Sequence, residues 1–515
     1  MKPEGARSRF AASIGPLGLS LLAGGLQAVA LAAPWDGQPR WWLQLLVLGV
    51  LAWQLERSPD WRQAAWRGWA FAVAWLAGTF WWLFISMHTY GGLPVLLAAL
   101  AVLALAALLA LYYAAACGAF VALAPDRRAY RAILFGALWL LAELARGRWF
   151  TGFGWGGVGY AHLDGPLAGY APWLGVYGIG ALAAWLAMTL PQAWACGPWQ
   201  RVAALAVLAL PSVHQMGALP VTDSTGRLQV ALLQGNIPQD EKFQPGTGVP
   251  QALRWYGTQL RDRREPLVVA PETALPLLPQ QLPDGYWDAV VQRYARGEQA
   301  ALIGMPWGSL REGYTNAVVG LAPGQAQPWR YDKYHLVPFG EFIPTGFKWF
   351  TAMMNIPLGD FNRGPLRAPT FAWQGQRLAP NICYEDLFGE ELGARFADAA
   401  QAPTVLVNVS NIAWFGNTVA IDQHLHISRM RALEFARPFV RATNTGATAI
   451  IDHEARVLAE LPRHTEGVLV GEVEGRSGLT LYARWVARFG LWPLWGVGVA
   501  VLLLAAARRW RAKAS

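Results

Sequence analysis

The chain has 515 residues, of which 54% are hydrophobic and only 15% are charged, and its formal net charge is +9 at pH 7. Soluble globular proteins carry about 25% charged residues, so this chain has too few to cover a water-facing surface of its size. Its 54 glycines and 34 prolines stay below the level of a low-complexity chain. The composition therefore excludes a disordered or collagen-like protein and argues against a wholly soluble enzyme.

The positive charge lies at the two ends of the chain. Residues 1–220 hold 13 Lys and Arg against 7 Asp and Glu, and residues 481–515 hold 6 against none. The middle part, 221–480, holds 23 basic and 26 acidic residues and is slightly acidic. A nucleic-acid-binding domain would concentrate positive charge on its folded part. We therefore expect no nucleic-acid partner.

Repeated apolar stretches fill the first 220 residues and return near the end. A helix needs about 20 residues to cross a bilayer, so the longer stretches predict transmembrane helices. The shorter ones are also compatible with buried core helices, and we count them as spans because they lie among longer ones. We predict a polytopic α-helical membrane domain of about eight transmembrane helices, about seven of them before residue 221. The longer stretches are 10–33, 69–87, 93–124 and 168–195, the shorter ones are 41–54, 132–145 and 202–214, and a last one is 489–507.

Basic residues in the loops predict the orientation. With a cytoplasmic N-terminus, the cytoplasmic segments hold 14 Lys and Arg, whereas the opposite loops hold only Arg40, Arg146 and Arg148. Cytoplasmic loops are enriched in Lys and Arg, so an odd number of N-terminal spans places 221–480 outside the cytoplasm. Residues 1–33 also resemble a secretory signal, but the long apolar stretch and the spans that follow favour an uncleaved first helix.

From Arg227 onwards the sequence pattern changes to short β-rich runs that alternate with helix-like stretches. This alternation predicts a layered α/β domain. We divide the chain into a membrane domain (1–220), an outer domain (221–480) and a final span with a basic tail (481–515). The strand-like runs are 227–234, 266–270, 300–305, 316–321, 404–409, 447–452 and 467–473, and the helix-like stretches lie near 250–264, 284–297, 388–399 and 418–436.

The outer domain offers few signals for a cofactor. No GxGxxG or Walker-type loop follows a strand, so nucleotide binding has no support. The closest pair of histidines, His424 and His426, is more typical of a helix surface than of a metal site. Cys383 is the one cysteine between 221 and 480, so a disulfide within this domain is impossible. We expect neither a metal nor another cofactor.

Three polar residues stand at the ends of predicted strands. Glu272 follows "PLVVAP", Lys333 lies in "WRYDKYHLVPFGE", and Cys383 ends "RLAPNIC". Ligands of α/β sheets bind beyond the carboxyl ends of the strands. A carboxylate, an amine and a thiol in such places could serve as base, cation and nucleophile. A solvated surface Glu or Lys and an inert core cysteine are the ordinary alternatives, and spacing alone does not decide between them.

Longer motifs surround these three residues. "VVAPETALP" (268–276), "YDKYHLVPFGEFIP" (331–344) and "NICYED" (381–386) resemble, in that order, the Glu–Lys–Cys signature of the nitrilase superfamily. "LLQGNIPQ" (232–239), "SNIAWFG" (410–416), 423–446 and the membrane-domain segment 151–178 resemble the apolipoprotein N-acyltransferase family. The resemblance covers essentially the whole chain. It implies that the outer domain is a nitrilase-like α-β-β-α sandwich.

The resemblance also implies an activity and a bacterial inner-membrane location, with the outer domain on the periplasmic side. Members of this family transfer the sn-1 acyl chain of a phospholipid, typically phosphatidylethanolamine, through a cysteine thioester. The acceptor is the α-amino group of the S-diacylglyceryl cysteine that begins a lipoprotein, in the last step of lipoprotein maturation. The implied partners are therefore a phospholipid donor and an apolipoprotein acceptor, and we expect a monomer.

The family's functional positions map onto this chain residue by residue. The resemblance implies catalytic roles for Glu272, Lys333 and Cys383, and supporting roles for Glu341, Tyr384 and Glu385. For substrate binding it points to four aromatic residues, which are Phe243, Trp349, Trp414 and Trp155.

Three positions differ from the family pattern. Phe243 replaces a tryptophan, Gly154 a proline and Ile412 an aspartate. We expect these changes to affect lipid contacts rather than the chemistry.

Two further expectations concern the membrane and the water around the site. The apolar stretch 344–359 is predicted to dip into the outer leaflet as an acyl-chain entrance, a buried hydrophobic loop being the alternative.

The sequence leaves two alternative functions. A thioester that meets water is hydrolysed, so a membrane-bound hydrolase or amidase of nitrilase type is the alternative enzyme. A transporter with an outer binding domain predicts ionisable residues within the spans, and apart from Glu143 these are almost absent.

Overall fold

The computed structural model of the chain describes residues 4–190, 198–215, 222–325, 327–351, 353 and 360–514. The chain folds into two compact units. One comprises Met1–Trp81, Leu96–Leu219 and Leu491–Ser515, and the other comprises Trp82–Val95 and Pro220–Gly490. A short piece of the N-terminal half, 82–95, is therefore part of the same unit as the α/β region.

The α-helices are numbered in chain order. They are α1 (Glu4–Leu31), α2 (Trp41–Glu56), α3 (Trp61–Thr79), α4 (Leu83–Ile85), α5 (Val95–Leu123), α6 (Arg128–Arg148), α7 (Ala171–Thr189), α8 (Pro198–Gln215), α9 (Gly248–Asp262), α10 (Tyr286–Ala295), α11 (Lys348–Thr351), α12 (Gly389–Gly393), α13 (Ala420–Phe435), α14 (Leu481–Phe489) and α15 (Trp492–Ala514). A π-helical turn, Ser86–Tyr90, follows α4 directly.

A helix lies at each of the eight apolar stretches of the sequence. Among the described residues, however, only three helices are long and apolar enough to cross a membrane, namely Val95–Leu123, Ala168–Thr189 and Trp492–Arg511. The bent pair Trp61–Thr79 and Leu83–Tyr90 would make a fourth. The predicted number of about eight spans is therefore not confirmed by length and hydropathy, because several helices are shorter or more polar than a full span.

Helix α6 carries two buried ionisable residues, Glu143 and Arg146. The sequence-based assignment of Arg146 to a loop is wrong, since it lies in the last turn of this helix. Its guanidinium donates to the Tyr113 hydroxyl over 2.9 Å and to the backbone carbonyls of Phe153 and Trp155 over 2.7 Å each. Arg146 therefore ties the chain that follows α6 back onto the helices of its own unit.

The α/β unit contains two mixed sheets, each with six strands among the described residues. The first sheet has the order β12-β1-β2-β3-β4-β5, and the second has the order β11-β10-β9-β8-β7-β6. The strands are β1 (Asp223–Gln234), β2 (Leu267–Ala270), β3 (Ala300–Ser309), β4 (Gly313–Leu321), β5 (Trp329–Asp332), β6 (Phe371–Trp373), β7 (Gln376–Ile382), β8 (Val405–Ser410), β9 (Phe439–Thr443), β10 (Ala449–Ile451), β11 (Val457–Glu460) and β12 (Gly467–Ser477).

Three central strands are parallel in each sheet, β1 to β3 in one and β7 to β9 in the other. Successive side chains of a strand point to opposite faces, so each sheet has an inner and an outer face. Alternate residues such as Val230, Leu232, Val407 and Val409 share one buried cluster between the sheets. The intervening residues of the first sheet pack with α9 and α10 in a second cluster. The predicted layered α/β architecture is confirmed.

Helix α13 lies against the outer face of the second sheet. Its residue His424 is within 3.1 Å of Arg441 on β9, measured from Nδ1 to Nη2. His424 and His426 are 1% and 3% exposed, so the expectation that this pair lies on a helix surface is wrong. One side of α13 packs on the sheet, and other chain segments cover most of its remaining surface, so the helix is almost entirely buried. The periodicity of the sequence does not reveal this burial.

Candidate active site

The three strand-end residues come together at one edge of the two sheets. Glu272 lies just beyond β2, Lys333 just beyond β5, and Cys383 just beyond β7. The backbone N–H of Asn411, just beyond β8, donates to Oε2 of Glu272 over 2.8 Å. This hydrogen bond joins the ends of the two sheets, so the carboxyl ends of their parallel strands line one common site.

Glu272 and Glu341 share their hydrogen-bond donors. The side-chain amide of Asn316 donates from Nδ2 to Oε1 of Glu272 and to Oε1 of Glu341 over 2.7 Å each. The Lys333 ammonium lies 2.9 Å from Oε1 of Glu341 and 3.6 Å from Oε1 of Glu272. The backbone N–H of Val337 completes the Glu341 site over 2.8 Å. The Lys333 ammonium is thus closer to the carboxylate of Glu341 than to that of Glu272.

Lys333 remains an ammonium in this surrounding. Its side chain is fully buried, and burial disfavours its charge. The carboxylates of Glu341 and Glu272 outweigh that effect and raise the pKa of Lys333 above its ordinary value. The group is therefore suited to stabilise negative charge and unsuited to accept a proton.

Cys383 stands on a strained corner between β7 and a 3₁₀ turn, Cys383–Leu387. Its φ is 57°, a left-handed conformation that is uncommon for a residue with a side chain. The side chains of Asn408 (Nδ2) and His424 (Nε2) lie 2.8 and 3.2 Å from its carbonyl oxygen. Thr273, next to Glu272, also has a left-handed φ, of 47°. Backbone strain of this kind concentrates at functional sites.

The thiol of Cys383 is free and partly exposed. Burial of the Sγ atom raises the pKa of Cys383 well above the ordinary value, and the negative charge of Glu272 raises this pKa further. The positive charge of Lys333 lowers the pKa of the thiol, but this effect is smaller than the combined effect of burial and Glu272. The resting thiol therefore keeps its proton at neutral pH and needs a base to react quickly.

A buried polar network supports the Cys383 corner from behind. Asp386 contacts His424 over 3.1 Å and Arg441 over 3.1 Å. Ser428 on α13 also donates to the Asp386 carboxylate. These contacts keep the pKa of Asp386 below its ordinary value despite burial, because His424 and Arg441 favour its charge. An ionised Asp386 therefore holds the turn that begins at Cys383 against α13 and β9.

Glu385 joins the Lys333 loop to the Cys383 strand. Its carboxylate accepts hydrogen bonds from the backbone N–H groups of Tyr334 (2.8 Å), His335 (3.0 Å) and Ile382 (2.7 Å), and from the Tyr331 hydroxyl (2.8 Å). Burial raises the pKa of Glu385, and Lys333 partly offsets this effect. Glu385 thus fixes the spacing between two predicted catalytic residues without pointing at the thiol itself.

Tyr384 is anchored in the same way. Its hydroxyl donates to the carbonyl of Leu336 over 2.9 Å, and its ring centroid lies 5.8 Å from the Lys333 ammonium. Burial raises the pKa of this phenol well above its ordinary value, so it stays protonated. Tyr384 therefore supports the position of Lys333 rather than supplying an acid.

The four predicted substrate-binding aromatics have different surroundings. Phe243 and Trp349 are 38% and 63% exposed. Trp414 is half-buried, with its ring 5.9 Å from that of Tyr90. Trp155 is 3% exposed and lies in the helical unit, where its carbonyl accepts from Arg146. Only the first three therefore lie in the same unit as Cys383.

The predicted membrane loop 344–359 is described only in part. Position 352 and positions 354–359 lie outside the described residues. Within the described part, Phe347, Trp349 and Met353 are 44%, 63% and 45% exposed. This exposure disagrees with the alternative of an ordinary buried loop for these three residues.

Phe243 lines an apolar cavity of about 620 Å³. This volume is within the range of small-molecule pockets. Its wall also includes the N-terminal half of α9 and the loop that precedes α10. The lining residues are Phe243, Pro245, Val249, Pro250, Leu253, Arg254, Leu277, Gln281, Pro283 and Tyr286.

Sequence reasoning missed three residues of this site, Asn316, Asn411 and Lys242. Asn316 is buried inside β4, and a polar amide within a β-rich run was a signal for it. Asn411 follows β8 in the quoted word "SNIAWFG", as Glu272 follows β2. Lys242 is fully buried and donates to the carbonyl of Glu272 over 3.1 Å. In the described parts of the chain, no group of three His, Cys, Asp or Glu side chains is placed to hold a metal ion.

Two family models match the chain. One, described as "Apolipoprotein N-acyltransferase N-terminal domain", matches residues 23–189, and the other, "Carbon-nitrogen hydrolase", matches residues 229–480. Among solved structures, an amidase of the nitrilase superfamily from Nesterenkonia is 16% identical, with a TM-score of 0.37 over 54% of this chain and 100% of that chain. The carbon-nitrogen hydrolase match and the two mixed sheets together identify a nitrilase-like fold.

Curated relatives are similar over nearly the whole chain. An apolipoprotein N-acyltransferase of Verminephrobacter eiseniae is 60% identical over 92% of each chain. That of Ralstonia nicotianae is 47% identical over 99% of this chain and 96% of its own. That of Bordetella bronchiseptica is 41% identical over 96% and 97%. At this identity and coverage, the chain belongs to the apolipoprotein N-acyltransferase family.

Proposed function

We propose that this protein transfers an acyl chain from a phospholipid to the α-amino group of the S-diacylglyceryl cysteine of an apolipoprotein. The proposed phospholipid donor is phosphatidylethanolamine. The observation that carries the proposal is the carboxylate of Glu272 in a shared hydrogen-bond cluster with Lys333, at the strand ends where Cys383 also lies. A base, a cation and a thiol in one place are the parts that a cysteine acyltransferase needs.

In the first half-reaction, Cys383 attacks the sn-1 ester carbonyl of the phospholipid. Because the raised pKa keeps the thiol protonated, Glu272 removes its proton during the attack. The tetrahedral intermediate then collapses, and its C–O bond breaks. Glu272 returns the proton to the leaving oxygen, so lysophospholipid departs and the acyl chain stays on Cys383 as a thioester.

The intermediate carries a negative oxygen that must be stabilised. Lys333, held as an ammonium by Glu341 and Glu272, is the first candidate donor. The backbone N–H of Tyr384, which follows Cys383, is the second. Loss of one such donor costs about 3 kcal/mol of barrier in comparable enzymes.

In the second half-reaction, the lipoprotein amine attacks the thioester. Glu272 takes a proton from the attacking nitrogen, the C–S bond breaks, and Cys383 regains its proton. A thioester lacks much of the resonance stabilisation of an oxygen ester, so an amide forms readily. Two substrates used in turn through one covalent intermediate predict ping-pong kinetics.

Both substrates carry long acyl chains, which keep them in the bilayer at about 0.8 kcal/mol per buried CH₂. We propose that the exposed aromatics Phe347 and Trp349 form part of the lipid entrance, and that Phe243 with its cavity and Trp414 contact apolar chains.

The proposed function also includes a membrane topology. We assign 1–220 to the membrane domain, 221–480 to the periplasmic side and 481–515 to the last span and cytoplasmic tail of an inner-membrane monomer. The segments predicted to be cytoplasmic hold 14 Lys and Arg, whereas the opposite segments hold Arg40 and, in the last turn of α6, Arg146 and Arg148, and this excess supports the orientation.

The direct test is intact mass spectrometry of the purified protein after incubation with phosphatidylethanolamine vesicles. We expect an added mass of one acyl chain on Cys383 and release of lysophospholipid. The adduct should be absent in Cys383→Ser and strongly reduced in Glu272→Gln and Lys333→Met. Active wild-type protein without any adduct would contradict the covalent mechanism.

A second arm separates acyl transfer from hydrolysis. When a diacylated lipopeptide is added to the acylated enzyme, we expect an N-acylated peptide. Free fatty acid as the main product would assign the protein to the hydrolases instead. Arg311→Met, in the exposed turn between β3 and β4, serves as a matched control that should behave as wild type.

A further inference from the structure

The chain contains only five lysines among its 42 basic residues, and two of them, Lys242 and Lys333, are fully buried in the α/β unit. Both lie against Glu272, Lys333 at its carboxylate and Lys242 at its backbone carbonyl. A buried lysine is costly unless its charge is balanced, so a fully buried second lysine needs an explanation. The proposed mechanism uses Lys333 and leaves Lys242 without a role.

Lys242 reaches the site from the loop that follows β1. Its own backbone N–H donates to the Pro238 carbonyl over 2.8 Å, which closes a tight turn. The side chain points inward, whereas the next residue, Phe243, is exposed. The turn therefore places the ammonium of Lys242 in the interior, whereas Phe243, the next residue, lies at the surface.

The ammonium of Lys242 contacts the backbone rather than the carboxylate of Glu272. Nζ donates to the Glu272 carbonyl oxygen over 3.1 Å, and in the part of the chain that the structure describes this is its one hydrogen bond. The next residue, Thr273, has the strained φ of 47°. Asn316 and Asn411 hold the Glu272 carboxylate, so Lys242 is the side chain that holds its peptide.

The charge of Lys242 is also coupled to the reacting groups. Burial lowers the pKa of Lys242 to about 7, and the negative charges of Glu272 and Cys383 act in the opposite direction. Coupling between two charges is mutual, so a protonated Lys242 favours the ionised Cys383. The other charged groups that act on Cys383 are Glu272, Glu341, Asp386, Lys333 and Arg441.

We propose that Lys242 is a positioning residue of this centre, which holds the Glu272 peptide in its strained corner and supplies a positive charge that favours the Cys383 thiolate. This assignment rests on the proposed function in one respect, since it takes Cys383 as the nucleophile. Lysine suits this role because its long flexible stem carries both a hydrogen-bond donor and a compact positive charge into the interior.

The first readout is the reactivity of Cys383 toward iodoacetamide as a function of pH, followed by mass spectrometry of the Cys383 peptide in the full-length protein. Lys242→Met removes the donor and the charge, and at pH 6 to 7, where Lys242 carries its charge, we expect the rate of Cys383 alkylation to shift down by about tenfold. Lys242→Gln retains a donor without the charge and should show the same direction of shift. Lys242→Arg should stay near wild type.

The second readout is the rate of acyl-enzyme formation with phosphatidylethanolamine vesicles. We expect Lys242→Met to slow it by at least about tenfold at pH 7 with little change in the half-saturating lipid concentration, since no lipid contact is lost. Lys242→Arg should recover most of this rate. Arg311→Met removes an exposed cation of the same unit and should leave both readouts unchanged.

An alkylation rate at pH 6 to 7 in folded Lys242→Met and Lys242→Gln equal to that of wild type overturns the proposal. Thermal unfolding identifies any variant that is not folded, and the two variants provide separate chances to obtain a folded one. If wild-type protein gives no acyl adduct but alkylation at pH 6 to 7 is still slower in the Lys242 variants, the role of Lys242 stands and the proposed function fails. The two ideas are therefore tested separately.

Discussion

At the scale of single residues, Glu272 and Cys383 oppose each other electrostatically. The carboxylate raises the pKa of the thiol, whereas it is also the proposed base that removes the thiol's proton. Removal of the negative charge in Glu272→Gln should therefore lower the pKa of Cys383 and shift its alkylation profile toward lower pH. Alkylation of this variant at a fixed pH near 8 should be faster than in wild type, although acyl-enzyme formation is lost.

The measurement is the pH profile of iodoacetamide labelling at Cys383, with Cys383→Ser as the blank. Below the ordinary thiol pKa of about 8.5, the wild-type reaction should be slow and should rise with pH. A midpoint for Glu272→Gln at or above that of wild type would show that the carboxylate does not act on the thiol by charge. The gain in thiol reactivity expected for Glu272→Gln is opposite in sign to the loss expected for Lys242→Met at pH 6 to 7.

At the scale of elements, the segment Trp82–Val95 folds with the α/β unit. Trp82 is 1% exposed, donates from Nε1 to Gln423 Oε1 over 3.0 Å, and packs its ring 4.2 Å from that of Phe415. Phe415 ends the turn that begins just after Asn411, whose N–H holds Glu272. This segment therefore braces one wall of the candidate site from a distant part of the sequence.

Trp82→Ala should lower the melting temperature by about 5–15 °C, because it opens a cavity and leaves the Gln423 amide oxygen without this donor. It should also slow acyl-enzyme formation several-fold. Trp81→Ala is a matched control, since Trp81 is adjacent in sequence and 46% exposed. Thermal unfolding in detergent checks the first effect, and equal melting temperatures for the two variants would refute the bracing role.

At the scale of the whole molecule, the distribution of charge predicts topology. The basic loops predicted to be cytoplasmic should keep Arg128 inside, and the slightly acidic domain should place Arg311 outside. In intact spheroplasts, with the three native cysteines changed to serine, a membrane-impermeant maleimide should label Arg311→Cys directly and Arg128→Cys only after permeabilisation. Both positions are exposed. Labelling of Arg311→Cys that requires permeabilisation would reverse the proposed orientation.

Much of the site was predictable because its signals are local. Alternation of β-rich runs and helices indicated the α/β unit. Strand ends drew attention to Glu272, Lys333 and Cys383, and the resemblance of the surrounding motifs selected these three residues. The strands β5, β6, β7, β9 and β11 were not among the predicted β-rich runs, because four of them are short and β7 contains several polar residues and a proline, so none shows a clear apolar period. The predicted number of about eight spans is not confirmed by the length and hydropathy of the described helices, since an apolar run in the sequence need not coincide with a helix long enough to cross a membrane.

The amino-acid sequence alone established the family resemblance and the two kinds of region, and it supplied Glu272, Lys333 and Cys383 as the proposed reactive groups. Only the tertiary structure decided which partners those groups have. Asn411 meets Glu272 across 139 positions of sequence, Lys242 reaches its carbonyl from another loop, and Trp82 meets Gln423 across 341 positions. Local patterns record periodicity and burial, whereas these contacts depend on how two sheets pair and pack, which no short stretch of sequence contains.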